Sequence, residues 1–171
     1  MARTALLVVG SFVALEIAIR AWARLGLEMG STIHLAGPLY LTHTINETRV
    51  MLFGWSAIAW LLIALLIASI FCLFFFWVGR SQPGLGHHWM MRLGFLASAA
   101  LVAIALLNAA EYAALGGVTD YLAMVDLETK LVRVINIADI VVVLASIAAV
   151  VGQVGTTVEL VRRSIFRTGV T

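Results

Sequence analysis

Charged residues are scarce in this sequence. Asp, Glu, Lys and Arg make up 12% of its 171 residues, whereas a soluble domain carries about a quarter. The net charge is only +2 and the basic residues are scattered, which excludes the dense basic patch of a nucleic-acid-binding protein. A single cysteine, Cys72, lies inside an apolar run, so the chain has neither a disulfide framework nor a thiolate metal site.

Hydrophobic residues take the place of the missing charges. They make up 63% of the chain and gather into runs that approach the roughly 20 apolar residues of a membrane-spanning helix. The windows without charge are residues 4–15, 50–79, 93–110 and 140–158. The first is long enough if its helix continues past Glu16 and Arg20, which sit at helical spacing. The sequence therefore predicts one domain over residues 1–171, with membrane-spanning helices at about residues 4–22, 50–78, 92–112 and 137–160.

Two of the connections between these helices are rich in β-forming residues. Residues 37–48 alternate apolar and polar side chains and include Tyr and Thr, a pattern typical of a strand or hairpin. Residues 116–135 begin with two glycines and also contain polar and β-branched residues. The connection between the second and third helices is short and rich in turn residues. The predicted fold class is an all-α integral membrane protein, with four transmembrane helices and a small periplasmic β-hairpin or sheet segment.

The distribution of Lys and Arg predicts how the chain lies in the membrane. An even number of helices places both termini on one side, and that side, with the second connection, holds six basic residues against five on the other. The C-terminal VRRSIFRT is the densest basic cluster, whereas four acidic residues dilute the positive charge of the other side. The positive-inside rule therefore predicts a multi-pass protein with both termini in the cytoplasm.

Ionisable residues gather near the outer ends of the predicted helices, where burial in a membrane costs roughly 2.5–3.5 kcal/mol each. Asp120 follows the third helix and Asp139 opens the fourth. Because these helices are antiparallel neighbours joined on the outer side, both aspartates reach the same membrane face. Two carboxylates that lie close share one proton, so one can act on water as a base while the other protonates a leaving amine. This is the chemistry of an aspartic protease, which needs no metal or cofactor.

Simpler interpretations stay open for the same residues. Asp139 can be an anion in the first turn of its helix, where the macrodipole favours negative charge, and Asp120 can be a turn residue after two glycines. Glu16 and Arg20 can form an ion pair across one helical turn. A haem-binding or redox bundle would need facing axial histidines within its helices, but every histidine lies outside the predicted helices. The histidines are His34, His43, His87 and His88.

Two stretches of the sequence resemble the bacterial lipoprotein signal peptidases (signal peptidase II). INIADIVVVLASIAAVVG, which contains Asn136 and Asp139, is similar to the fourth-helix signature of that family, Phe-Asn-x-Ala-Asp followed by an apolar helix. GGVTDYL, which contains Asp120, is similar to the family's Val-Val-Asp-Phe-Ile segment. The separation of the two aspartates, 139 minus 120 or nineteen residues, also suits the family.

Three further places resemble the family's other motifs. Asn108 stands where its Asn-x-x-Asp-Arg motif begins, Asn46 stands where its Asn-Thr-Gly-x-Ala-Phe stretch begins, and LEIAIR resembles the Asp-x-x-x-Lys pair of its first helix. The chain also departs from these motifs. Glu111-Tyr112 stands in place of Asp-Arg, Glu47-Thr48 in place of Thr-Gly, and Ile135 in place of the phenylalanine. The expected catalytic pair is therefore kept, while the residues expected to hold a substrate differ.

The resemblance implies an intramembrane aspartyl endopeptidase of the bacterial inner membrane, which cleaves diacylated prolipoproteins before the lipid-bearing cysteine at the outer leaflet. It implies Asp120 and Asp139 as the catalytic dyad, with no metal or other cofactor. It also implies residues that bind substrate or support the dyad, namely Asn136, Asn108, Asn46, Glu16, Arg20, Glu111 and Tyr112. The implied partners are membrane lipids, a lipidated prolipoprotein or related substrate and a globomycin-type inhibitor, without nucleic acid. The alternative is a catalytically weak or inactive relative that binds lipidated segments or partner helices.

Overall fold

The computed structural model describes residues 2–47, 57–85, 88–125 and 132–167, and in it one pair of strands lies between the first two helices and another pair between the last two. The elements are α1 (Ala2–Gly26), β1 (Thr32–Ala36), β2 (Leu39–Asn46), α2 (Ala57–Ser81), α3 (Trp89–Leu115), β3 (Val118–Val125), β4 (Val132–Ile135) and α4 (Ile137–Arg167), with a short 3-10 helix at Pro83–Leu85. Within the described residues, four helices are long and apolar enough to cross a membrane. The predicted start of the second helix near residue 50 lies outside the described residues.

The helix ends follow from local backbone chemistry. α2 ends at Ser81, two residues before Pro83, where the ring restricts the preceding residue away from helical geometry. α3 ends at Leu115 because Gly116 takes the left-handed conformation with φ 75°, and its N–H donates to the carbonyl of Tyr112. Glycine adopts that conformation without the penalty that a Cβ brings. This cap turns the chain at once into β3.

Small residues let α3 approach α2 and α4 closely. α3 packs against α1, α2 and α4. A Cβ built on Gly152 would lie 2.5 Å from the Cα of Gly94, and one built on Gly94 would overlap the ring of Phe75. Helices in membranes associate through such close backbone contacts, because lipid provides no hydrophobic drive between them. Further along the same interface, three alanines form a buried cluster, Ala97, Ala145 and Ala149.

The segment between α1 and α2 and the segment between α3 and α4 combine into one antiparallel sheet with the strand order β1-β2-β3-β4. β2 pairs with β3 so that Thr44 faces Asp120 and Asn46 faces Val118. A Cβ on Gly117 would lie 2.8 Å from the carbonyl oxygen of Asn46, so a glycine is needed where the chain enters β3. The predicted helical membrane fold with a small sheet is confirmed, and the sheet takes two strands from each of these two segments.

The sheet covers the ends of α1 and α3, and this arrangement places Asp120 beside the first turn of α4. Tyr121 packs its ring into a buried cluster with Ala23 of α1 and with Leu27, which directly follows that helix. Partly buried Leu41 of β2 and Ile137 of α4 complete that contact. Apolar packing therefore joins the strand that carries Asp120 to the helix that carries Asp139.

Candidate active site

Asp120 is buried on β3, with 3% of its surface exposed, and both its carboxylate oxygens accept hydrogen bonds. The side-chain amide of Asn136 donates to Oδ1 at 2.8 Å. The side-chain amide of Asn46 donates to Oδ2 at 3.2 Å. Thr44 adds a bond from its hydroxyl to the backbone carbonyl of Asp120 at 3.4 Å. A buried carboxylate is stable only when its oxygens are satisfied in this way.

Asp139 lies in the first turn of α4 and is exposed. Its Oδ2 accepts the backbone N–H of Asn136 at 2.9 Å, and its own N–H donates to Oδ1 of Asn136 at 3.0 Å. The exchange resembles a capping box, in which two side chains satisfy the free N–H groups at a helix start. Asn136 therefore hydrogen-bonds both aspartates, with its side-chain amide on Asp120 and its backbone on Asp139.

The surroundings of Asp120 change its affinity for a proton. Burial, and after it the negative charge of Asp139, raise the pKa of Asp120 to about 6 from 3.8. The hydrogen bonds from Asn136 and Asn46, and the charge of Arg20, act in the opposite direction. Burial raises a carboxyl pKa because the charged form loses its hydration. The negative charge of Asp139 therefore acts on Asp120 and favours its protonated form.

Arg20 of α1 forms the centre of a buried ionic cluster behind the sheet. Its side chain is 1% exposed. Nε donates to Glu16 at 2.9 Å, Nη2 donates to Oδ1 of Asn108 at 2.9 Å, and Nη1 pairs with Glu111 of α3. Arg24, one turn further along α1, lies 3.6 Å from Glu111. One buried cation is thus held between two carboxylates, with a second and half-buried cation beside them.

Two hydroxyl groups connect this cluster to β3. Thr119 donates to Oε1 of Glu111 at 2.7 Å, and Tyr121 donates to Oε2 of Glu16 at 2.7 Å. The tyrosine oxygen also accepts the backbone N–H of Ile137 at 3.0 Å. Burial, followed by the bond to Glu16, raises the pKa of Tyr121, so the hydroxyl remains protonated. Sequence reasoning missed both residues, although the two-residue period of a strand places them on one face, opposite to Asp120.

Within the described residues, Tyr112, His34 and His43 form hydrogen bonds with backbone groups and not with either aspartate. Tyr112 is half-buried and gives its backbone carbonyl to the cap at Gly116. His34 bonds the carbonyl of Gly37 at 3.1 Å and His43 bonds that of Leu27 at 3.1 Å. His88 precedes α3, and His87 lies outside the described residues. Among the residues that the structure describes, there is no group of three or more His, Cys, Asp or Glu that could hold a metal ion.

Comparison with known proteins identifies similar sequences and folds. A family model described as signal peptidase (SPase) II matches residues 8–154. One solved structure, described as a bacterial membrane enzyme, is 16% identical with a TM-score of 0.63, over 90% of this chain and 89% of its own. A second of the same description is 17% identical with a TM-score of 0.62, over 88% of this chain and 92% of its own. No curated protein sequence matches significantly. At these identities the two structures show a shared fold.

Proposed function

The chain belongs to the signal peptidase II family, and from that premise we propose that it is an intramembrane aspartyl endopeptidase. The proposed substrate is a diacylated prolipoprotein or a related lipidated protein, cut at the outer leaflet of a bacterial inner membrane. The observation that carries the proposal is the position of Asn136, which hydrogen-bonds Asp120 and Asp139 at the same time. The membrane would confine the lipid-anchored substrate and bring the scissile bond to the dyad, which is catalysis by proximity.

The proposed mechanism uses one proton shared by the dyad. Asp120, with its pKa raised to about 6, holds the proton, and the exposed Asp139 acts as the base. Asp139 takes a proton from water as the oxygen attacks the scissile carbonyl carbon, while Asp120 protonates the carbonyl oxygen. When the C–N bond breaks, Asp139 gives its proton to the leaving nitrogen and the new carboxyl group returns a proton to Asp120. The pair ends as it began, as general acid–base catalysis requires.

The other predicted site residues divide into two groups by their contacts. Asn46 and Asn136 touch Asp120 directly, and we propose that they orient it. Asn108, Glu16, Arg20 and Glu111 belong to the buried ionic cluster, and we propose that they support the strand behind the dyad. Tyr112 stands where the resemblance implies arginine, so we propose that this chain holds its substrate with one charged contact fewer.

The altered motifs favour a second candidate function. A relative that lacks the implied arginine could bind lipidated segments without cleaving them, because binding does not need the proton shared by Asp120 and Asp139. The two candidates differ in one measurable property. A binding protein would keep its lipidated ligand intact for hours, and its affinity would be unaffected by neutralising either aspartate.

A cleavage assay tests the proposal directly. The purified protein in lipid bilayers is mixed with a diacylated prolipoprotein, and the loss of the signal peptide is followed by gel shift. Asp120→Asn and Asp139→Asn should each abolish cleavage while the protein remains folded. Glu159→Gln is the matched control, since this carboxylate lies at the opposite end of α4 and pairs with Arg163. Cleavage by either aspartate variant at the wild-type rate would disprove the dyad.

A further inference from the structure

Both neighbours of Asp120 in β3 are fixed by hydroxyl hydrogen bonds to carboxylates that share one cation. Thr119 is fully buried and donates to Glu111, while Tyr121 is 1% exposed and donates to Glu16. Arg20 donates to both of these carboxylates. The strand segment is therefore held on both sides of Asp120 by a single ion cluster that comes from α1 and α3.

The same tyrosine hydroxyl also holds the start of α4. The first N–H groups of a helix have no partner within the helix and need one elsewhere. The N–H of Ile137 finds it in the Tyr121 oxygen at 3.0 Å, two residues before Asp139. One hydroxyl thus joins the strand of Asp120, the first turn of Asp139 and Glu16 of α1.

We propose that Tyr121 and Thr119 are positioning residues, which set the geometry of the two aspartates through the Glu16–Arg20–Glu111 cluster. Both hydroxyls are buried on the side of β3 opposite to Asp120 and are bonded to Glu111 and Glu16, so neither is available to contact a substrate. Their effect is therefore on the orientation of the dyad rather than on substrate affinity. The role in catalysis rests on the proposed function, whereas the hold on α4 can be measured without any substrate.

Fixed hydroxyls suit this task better than apolar side chains would. A cation held by two buried carboxylates keeps its place only while its partners stay paired, since an unpaired buried charge is strongly unfavourable. The hydroxyls complete the hydrogen bonds of those carboxylates, so displacing β3 would leave both incompletely satisfied. If a catalytic carboxylate is shifted by about 1 Å from its productive position, the reaction rate can fall on the order of a hundred-fold.

Kinetics on single-hydroxyl variants test the proposal. Tyr121→Phe and Thr119→Val keep the size of each side chain and remove only the hydroxyl. Each should lower kcat by about ten-fold or more while KM stays within about two-fold, because no substrate contact is lost. Thr119→Ser, which keeps the hydroxyl, should restore most of the rate. A kcat equal to wild type in both Tyr121→Phe and Thr119→Val would overturn the proposal.

Matched controls come from the neighbouring strand. Thr42→Val removes a buried hydroxyl that bonds the carbonyl of Ser31, and Tyr40→Phe removes one from a ring packed against His34. Both leave the cluster around Arg20 intact. If loss of kcat came only from lower stability of the sheet, Thr42→Val would lose as much as Thr119→Val, and that result would also overturn the proposal.

Amide hydrogen exchange separates this proposal from the proposed function. In Tyr121→Phe the amides of residues 136–140 should exchange faster than in the wild type, because the acceptor of the Ile137 N–H is gone. Tyr40→Phe should leave them unchanged. If the wild type cleaves no lipidated substrate, the proposed function fails and exchange alone decides: faster exchange at the start of α4 supports the positioning role, and equal exchange overturns it.

Discussion

The side-chain amide of Asn136 donates a hydrogen bond of 2.8 Å to Oδ1 of Asp120. This bond lowers the pKa of Asp120, as does the longer bond from Asn46, against the larger effect of burial. A donor to a carboxylate stabilises the charged form. The two asparagines therefore lower the fraction of Asp120 that is protonated at a given pH.

Removing these donors should move the basic limb of the pH profile upward. In the wild type, kcat/KM should fall as pH rises through about 6, where Asp120 loses its proton. Asn46→Ala should shift that limb to higher pH, and Asn136→Ala should shift it further because its bond has the larger effect. Initial rates between pH 4 and 8 give the limb. A shift to lower pH in either variant would contradict the assigned hydrogen bonds.

The same raised pKa predicts how stability depends on pH. Between 3.8 and about 6, the folded protein binds the Asp120 proton while the unfolded chain has released it, so the free energy of unfolding falls as pH rises. In the Asp120→Asn variant this side chain cannot ionise, so the variant does not lose this part of its free energy of unfolding as pH rises. The melting temperature of the variant minus that of the wild type should therefore increase from pH 4 to 6 and stay constant above.

Thermal unfolding in detergent at half-unit pH intervals measures that difference. Glu159→Gln serves as the control, because Glu159 pairs with Arg163 towards the opposite end of α4 from Asp139. Its replacement should leave unchanged the loss of stability that comes from ionising Asp120. A melting difference for Asp120→Asn that is constant from pH 4 to 6 would show that Asp120 ionises normally.

The close contact of α3 and α4 predicts opposite effects at two helical glycines. A Cβ on Gly152 would meet backbone atoms of Gly94 at 2.5 Å, whereas one on Gly10 meets nothing within 4 Å. Gly152→Ala should therefore lower the free energy of unfolding by about 1–3 kcal/mol through overpacking. Gly10→Ala should raise it by up to about 1 kcal/mol, because alanine is the better helix former. Equal melting temperatures for the two variants would contradict the close contact between α3 and α4.

The helices and the expected aspartates could be predicted from the sequence for a physical reason. Charge is so costly in lipid that its absence from long windows marks the spans, and the few carboxylates at their ends stand out. Asp120 and Asp139 can therefore be identified as candidate catalytic residues without any knowledge of distances. Asn136 was visible as well, because it is only three residues from Asp139 and belongs to the same helix start.

The hydrogen bonds that connect β3 to the ionic cluster could not be predicted, because they join distant parts of the chain. Thr119 and Tyr121 are ordinary strand residues by type, and their partners Glu111 and Glu16 come from two different helices. The pairing of β2 with β3 joins the segment after α1 to the segment after α3, and a local pattern carries no information about such a register. Only the folded arrangement shows that Arg20 is shared by both carboxylates.

The orientation in the membrane can be tested with single cysteines. In a Cys72→Ser background, Thr32→Cys in the exposed β1 should react with an impermeant thiol reagent in intact cells, after permeabilising any outer membrane. Ser81→Cys, at the opposite end of α2, should react only after the inner membrane is opened. This pattern follows from the predicted cytoplasmic termini. The reverse pattern would place the sheet and both aspartates in the cytoplasm.

Position 112 is where the proposed loss of one substrate contact can be tested. The resemblance implies an arginine there, whose rigid fork of donors holds a substrate carbonyl, and this chain has Tyr112. A hydrogen bond from a charged group contributes about 1.5–3 kcal/mol, so its absence predicts roughly ten- to a hundred-fold slower processing of an ordinary prolipoprotein. It also predicts weaker inhibition by globomycin.

Tyr112→Arg should therefore raise kcat/KM on an ordinary prolipoprotein by roughly ten- to a hundred-fold. Glu111, the adjacent carboxylate, already binds Arg20, Arg24 and Thr119, so the new guanidinium should remain available to the substrate. Tyr112→Lys is the matched control, because it adds the charge without the planar fork and should recover only part of the rate. The measurement compares the three proteins on one lipidated substrate. A wild type already as fast as Tyr112→Arg would show that the tyrosine costs nothing, and a loss of rate in both variants would show that Tyr112 itself binds a different substrate.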